Sequence, residues 1–289
     1  MQWLDAILQG ILLGGLYSLF ATGLSLAFGV MRFANIAHGD LIVLAAYLGL
    51  VVTSSLGLHP LTAALLIVPL MGVLGYVAQR GLFDRVVGGD VVSMLLLTFG
   101  LSVVLQNGLQ GLFSADGRRL QTGDLVTASV PLPGDMAIGV FPLLVLALAV
   151  GAIVLLEWVF ARTSTGRAFR ATSDDREVAQ LMGLDIRHVY GIAMAVSFAL
   201  CGLAGILLGI GTTFDPSMGP TRLLFAFESV IIGGLGSLWG TLAGGMILGV
   251  AQTIGFRISP GWGLLAGHLA FLVVLAVRPQ GLFPRTRDR

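Results

Sequence analysis

The sequence contains no lysine; all 16 of its basic residues are arginine. A P-loop needs a lysine over the nucleotide phosphates, and Schiff-base chemistry needs a lysine amine. The chain therefore neither hydrolyses ATP at a Walker-type site of its own nor holds retinal or pyridoxal covalently. Cysteine occurs once, at Cys201 in an apolar run, which excludes an intrachain disulfide and a cysteine-rich metal site. A buried structural thiol is its expected role. Charge is scarce as well: 11% of residues are charged, against roughly a quarter in soluble domains, which excludes an ordinary water-soluble enzyme. The formal net charge of +1 points to no nucleic-acid partner. Neither an H-E-x-x-H nor an N-P-A motif occurs, which speaks against an intramembrane metalloprotease and a water channel.

What fills the chain instead is apolar residues, 56% of 289, and 41 glycines, about 14% where ~7% is usual. The mean hydropathy is +0.95. A helix needs about 20 apolar residues to cross ~30 Å of hydrocarbon. Windows free of Asp, Glu and Arg run over 6–31, 41–79, 91–115, 136–156, 188–214, 229–256 and 258–277. Ser54-Ser55-Leu56-Gly57-Leu58-His59-Pro60 breaks the second window in two. Gly233-Gly234-Leu235-Gly236-Ser237 breaks the sixth, whose first half begins near Leu223. The expected fold is an all-α integral membrane bundle of eight or nine segments, with a short, glycine-rich pair at 223–236 and 238–256. The whole of 1–289 reads as one transmembrane domain. Small-xxx-small pairs (Gly10/Gly14, Gly205/Gly209, Gly240/Gly244, Gly245/Gly249, Gly263/Gly267) predict close helix packing.

The N-terminus Met1-Gln2-Trp3-Leu4-Asp5 lacks a basic region, so the first window reads as a retained span. Twelve of the sixteen arginines fall on one side if the links near 32, 80–90 and 161–187 and the tail from 278 share it. The other side keeps Arg118, Arg119, Arg222 and Arg257. The excess marks the cytoplasmic side and places the N-terminus outside.

The link at 161–187 is the longest charged stretch between spans. Asp174, with Glu177 three residues on, resembles a capping box, and Gly183 is a natural helix stop. Between them Val178, Leu181 and Met182 sit at i, i+3 and i+4, one small apolar face. A two-turn helix is marginal alone, so it reads either as a solvated loop or as a helix that docks into a cytoplasmic partner.

The run Thr163-Ser164-Thr165-Gly166-Arg167-Ala168-Phe169-Arg170-Ala171, followed by Asp174, Ala179 and Gly183-Leu184, resembles the cytoplasmic coupling loop of bacterial ABC importer permeases. It resembles in particular the LivH-type permease of branched-chain amino acid uptake systems. Three further blocks agree: Gly15-Leu16-Tyr17-Ser18-Leu19 on to Asn35-Ile36-Ala37-His38-Gly39-Asp40, then Ala226 through Ser237, then Arg278-Pro279-Gln280-Gly281-Leu282-Phe283. Together they cover essentially the whole chain. The resemblance implies a non-catalytic permease subunit of the bacterial inner membrane with a coupling loop at 161–187 and a cytoplasmic tail at 279–289. It implies a second related permease, two cytoplasmic ATPases that use ATP and Mg, an extracytoplasmic binding protein, and no cofactor on this chain. Branched-chain or related hydrophobic amino acids are the implied cargo, with urea, short amides or another small solute as the alternative.

Asn35, His38 and Asp40 lie at the junction of the first two spans. They read either as helix-end caps or as polar groups at membrane depth serving the translocation path or subunit packing. Glu228, beside an apolar run, lies at an interface or faces the pore near a helix break. Thr98, Gln106, Asn107 and Gln252 are expected to hydrogen-bond between helices. Two rival readings remain. One is an uncoupled channel or secondary transporter. The other is an intramembrane serine protease pairing Ser102, in Gly100-Leu101-Ser102-Val103, with His268.

Overall fold

A computed structural model describes residues 2–87, 90–133 and 136–283. Backbone polar groups in hydrocarbon must be satisfied within their own segment, and the apolar runs accordingly form helices. These are α1 (Gln2–Met31), α2 (His38–Leu56), α3 (Pro60–Gly81), α4 (Val91–Phe113), α5 (Val140–Arg162), α6 (Ser164–Asp174), α7 (Arg176–Leu181), α8 (Ile186–Gly211), α9 (Gly219–Gly233), α10 (Leu238–Ile258) and α11 (Trp262–Val277). Seven are long and apolar enough to cross a membrane: α1 to α5, α8 and α10. With the 15-residue α9 and the 16-residue α11, the chain is a polytopic all-α membrane protein. The expected break at 54–60 is present. Gly57 closes α2 in the left-handed conformation, and the His59 ring accepts the Leu61 amide at the start of α3, with Pro60 in its first turn. The window at 136–156 begins later than expected. Strands β1 (Ser129–Leu132) and β2 (Met136–Gly139) pair as an antiparallel hairpin ahead of α5.

The contacts sort the links into two ends. At one end, the Arg32 guanidinium donates to the Ser173 carbonyl at 2.9 Å and the Ser173 hydroxyl to that of Gly29 at 2.6 Å. Phe33 packs on Phe83, and Gly29 abuts Gly236. The amides of Leu282 and Phe283 bond Ile232 and Gly233. The described arginines assigned to the cytoplasm therefore share one end; Arg285, Arg287 and Arg289 lie outside the described residues. At the opposite end Arg257 pairs with Asp5 at 2.7 Å, Gln9 bonds Ala137, and Arg118 bridges to Phe214. Arg222 is at neither end. It occupies the first turn of α9, deep in the bundle, because α9 starts at Gly219 rather than near Leu223.

Two helices begin at mid-depth. The ring of His38, first residue of α2, lies 2.8 Å from the Phe20 carbonyl, about 16 Å along α1 from Met31 at 1.5 Å per residue. Residues 32–37 therefore climb back into the bundle before α2 starts. After α8 reaches the outer end, 212–218 descend in the same way, and α9 starts beside Gly39 and Asp40. Its 15 residues span only about 22 Å, less than a full crossing.

Both descents close with the same local chemistry. Asn35 Oδ1 accepts the Ala37 amide at 3.0 Å, and Asp215 Oδ1 accepts the Ser217 amide at 2.8 Å. The amides of His38 and Met218 return to the carbonyls of Asn35 and Asp215, and the next residue is glycine in each case. Since α1 runs toward the arginine-rich end and α8 away from it, the two halves run in opposite senses, the arrangement of an inverted repeat. α10 packs antiparallel on α1 as α3 packs on α8. The small residues sit in these seams: Gly10 against Val250 and Gly14 against Met246 in one, Gly75 against Met194 and Gly202 against Val68 in the other. The halves cross where the Ser197 hydroxyl donates to Gly23 at 2.8 Å and where Gly39 meets Gly219. A Cβ on either of those last two glycines would overlap the other half: the Gly219 carbonyl in one case, the Asp40 carboxylate in the other.

Candidate translocation junction and coupling surface

The three polar residues at the start of α2 are buried at the junction of the two halves. Asn35 lies in the link before α2, and His38 and Asp40 lie in its first turn, which has no side-chain cap; this helix start is at mid-depth rather than at a membrane boundary. Asn35 closes the turn described above, and its Nδ2 has no partner among the described residues. His38 faces Phe20 through Nε2 and has Nδ1 3.5 Å from Cys201 Sγ; the carbonyl fixes Nε2 as the donor, and Cys201 is the buried thiol expected. Asp40 Oδ2 accepts the Ser102 hydroxyl of α4 at 2.5 Å, and Gln106 donates to the same hydroxyl at 3.1 Å. Asp40 Oδ1, against Gly219, has no partner among the described residues.

Glu228 is buried on α9, its Oε1 2.6 Å from His268 Nδ1 of α11. Phe225 stacks on that imidazole. Tyr17 of α1 packs on Phe225 and donates to Gln252 of α10 at 2.7 Å. The expectation of interhelical bonds thus holds for Gln252, and Gln106 joins the Asp40–Ser102 cluster. It fails for Thr98 and Asn107, whose side chains bond carbonyls of their own helix, Met94 and Val103. A short side chain close to its own backbone reaches the preceding turn before it reaches a neighbour.

The coupling stretch contains one helix more than expected. α6 starts where Thr163 caps the Gly166 amide at 3.0 Å. Gly166 lies so close to α5 that a Cβ would overlap the Val159 carbonyl. Phe169 is buried against Phe160, and Arg170 donates to the Phe160 carbonyl. α6 is therefore fastened to the end of α5. The cap of α7 is Asp175, not Asp174: its Oδ1 accepts the amides of Glu177 and Val178 at 2.9 and 3.0 Å, while Asp174 ends α6. Gly183 stops α7 at φ +86°, with the Leu184 amide returning to Ala179. Ala179 is buried, whereas Arg167, Ala171, Asp174 and Glu177 are exposed and Ala168 partly so. Val178, Leu181 and Met182 are 53%, 86% and 80% exposed, an apolar face on a short helix that is left open among the described residues. Behind it, a cavity of about 690 Å³ separates α6–α7 from the start of α4, lined among others by Arg32, Met94, Arg176 and Tyr190.

A family model described as the branched-chain amino acid transport system permease component matches residues 6–277. The chain belongs to this family. Full-length relatives agree. The high-affinity branched-chain amino acid transport system permease protein BraD of Pseudomonas aeruginosa is 26% identical, covering 98% of this chain and 96% of its own. The corresponding LivH protein of Escherichia coli K12 is 25% identical over 99% and 96%. LivM of the same organism, also a permease protein of that transport system, is 26% identical over 95% of this chain and 69% of its own.

The permease is thus a non-catalytic, multi-pass component of an ABC importer. The serine-protease alternative fails on geometry too, since Ser102 is bonded to Asp40 and His268 to Glu228. Among the described residues no three or more His, Cys, Asp or Glu side chains are grouped to hold a metal ion. Sequence reasoning misses Asp215, Gly219 and Arg222 as parts of the second half of the junction. Asp-Pro ahead of a glycine four positions on, echoing Asn35 and Gly39, is the available signal.

Proposed function

We propose that this permease carries branched-chain or related hydrophobic amino acids inward across a bacterial inner membrane, in an importer driven by separate ATPase subunits. BraD and LivH are named for that cargo, and the similarity of LivM supports a second, related permease beside this one. An extracytoplasmic binding protein delivers the substrate at the outer end. Two cytoplasmic ATPases, which use ATP and Mg, dock on the coupling loops, and this chain contributes no cofactor.

The observation that carries the reading is the apolar face of Val178, Leu181 and Met182 on a capped helix at the arginine-rich end. Exposed together there, these side chains are suited to a groove on a soluble partner, and a self-sufficient channel has no need of them. A push on α7 passes to α6, then through Ser173 and Arg32 to the inner end of α1, and so to the 32–37 link and the mid-depth start of α2. Arg167, Arg170, Asp174 and Glu177 set the register of the docked loop. Asn35, His38, Asp40 and Glu228 hold the junction that has to rearrange.

Leu181→Asp is the test. Co-purification of the ATPase should fall while membrane insertion and recovery of the second permease persist. Undiminished co-purification and uptake would refute the docking assignment. A chain that purifies alone and moves solute in liposomes without ATP would refute the importer assignment.

A further inference from the structure

An arginine at membrane depth is costly and ordinarily pairs with an acid or another polar group. Among the described residues the ion pairs are Arg80–Asp84, Arg118–Asp116, Arg257–Asp5 and His268–Glu228; Arg222 is in none of them. Its Nη2 rests on Met218 Sδ at 3.4 Å, a weak acceptor, and its Nε is buried with no partner. The side chain as a whole is only half-buried. Asp215 and the Tyr17 hydroxyl are within Coulombic reach but not bonded to it.

The position of α9 gives this charge a direction. Side chains on a helix lean toward its N-terminus, and α9 starts at mid-depth, so Arg222 leans toward the outer half; its contact with Met218 has that sense. Above it, residues 212–218 descend without regular helix for most of their length, and irregular backbone at this depth is tolerated only against protein or a water-filled cavity. The free amides of the first turn of α9 add positive potential at the same place.

We propose that Arg222 receives the carboxylate of the amino acid at the midplane, as the substrate passes from the outer to the inner half of the bundle. This rests on the substrate reading above. The guanidinium is held ready by Met218, with Asp215 near enough to moderate its charge between turnovers, and it exchanges the weak sulfur contact for a charge-assisted one when substrate arrives.

The experiment uses the assembled importer in proteoliposomes, with Arg222→Cys and radiolabelled leucine. Uptake should fall roughly 10- to 100-fold, the range set by one lost hydrogen bond to a charged group, with the complex intact. Aminoethyl methanethiosulfonate then restores a cation: the introduced thiolate forms a mixed disulfide with the aminoethylthio group and methanesulfinate leaves. Uptake should recover with that reagent and not with the anionic sulfonatoethyl reagent. Wild type, carrying only the buried Cys201, is the labelling control. Uptake that survives Arg222→Cys, equal responses to both reagents, or an introduced thiol that neither reagent modifies would each overturn the assignment. If the cysteine variant does not assemble, Arg222→Lys against Arg222→Gln reads the same charge: Lys should exceed Gln, and equal uptake overturns it. A wild-type complex that moves no leucine refutes the substrate reading, and the carboxylate assignment with it. Loss of the arginine effect alone refutes only the latter.

Discussion

Placing an alanine at the crossing of the two half-helices tests the architecture most directly. Gly39 and Gly219 touch backbone to backbone. The Cβ of Gly39→Ala would overlap the Gly219 carbonyl and crowd the Leu223 amide, and that of Gly219→Ala would overlap the Asp40 carboxylate and crowd its amide. The obstacles to Gly39→Ala are main chain, so no rotamer change relieves them and the helices have to separate; the nearest obstacle to Gly219→Ala is the Asp40 carboxylate, a side chain whose displacement would also disturb its bond to Ser102. Overpacking of this kind costs about 1–3 kcal/mol. At Gly100 and Gly151, inside α4 and α5, a Cβ would meet no other described residue within 4 Å. There alanine is neutral or favourable by up to about 1 kcal/mol through helix propensity.

The two classes should therefore differ by about 1–4 kcal/mol. At roughly 2–4 °C per kcal/mol for domains of somewhat smaller size, that is a gap on the order of 2–16 °C. Monodisperse protein remaining after heating in mild detergent, read by size-exclusion chromatography, resolves a gap of that size. Their contact adds a further condition. Gly39→Ala, which meets only main chain, should cost at least as much as Gly219→Ala, and the double variant should cost less than their sum, because helices already parted by one methyl group accommodate the second. If Gly39→Ala melts with wild type while Gly100→Ala does not exceed it, the half-helices are not in backbone contact and the mid-depth start of α2 and α9 is wrong.

Other expectations follow from single contacts. Asp175→Ala should weaken α7 by about 1 kcal/mol through loss of its cap and reduce ATPase co-purification, whereas Asp174→Ala should leave it unchanged; equal effects would return the cap to Asp174. Glu228→Ala strips the buried end of the α9–α11 pair and should lower thermal stability by about 1–3 kcal/mol, and Glu228→Gln, which still accepts from the imidazole, should recover most of it.

Much of the fold is legible in the sequence because hydrophobic run length and helix breakers are local properties. Gly57-Leu58-His59-Pro60 and Gly233 through Ser237 punctuate the chain where the structure does, and the small-residue pairs lie in or beside helix contacts. The apolar face at 178, 181 and 182 follows from helical periodicity alone. Choosing between neighbours is where sequence misleads: Asp174 and Asp175 are interchangeable as caps until α6 is known to run through Asp174. Arg222 reads as a loop residue because a cation next to an apolar run ordinarily marks a membrane boundary, and only the depth of Gly219 shows otherwise.

The inverted repeat is hidden for a different reason. A repeat in opposite orientations exchanges inner and outer environments, so equivalent positions carry different chemistry: His38 and Asp40 in one half stand where the other has Met218 and Pro220. What survives is the part imposed by backbone geometry alone, an Asx turn and a glycine four residues later, because both descents must reverse direction and bring a helix N-terminus against its counterpart. The charged groups differ between halves. In the first half the buried carboxylate of Asp40 is tied to α4 through Ser102. In the second, Arg222 is left half-buried and in no ion pair among the described residues, with only the Met218 sulfur bonded to it and Asp215 nearby, and a cation so weakly held at that depth is tolerated where a diffusing anion completes it.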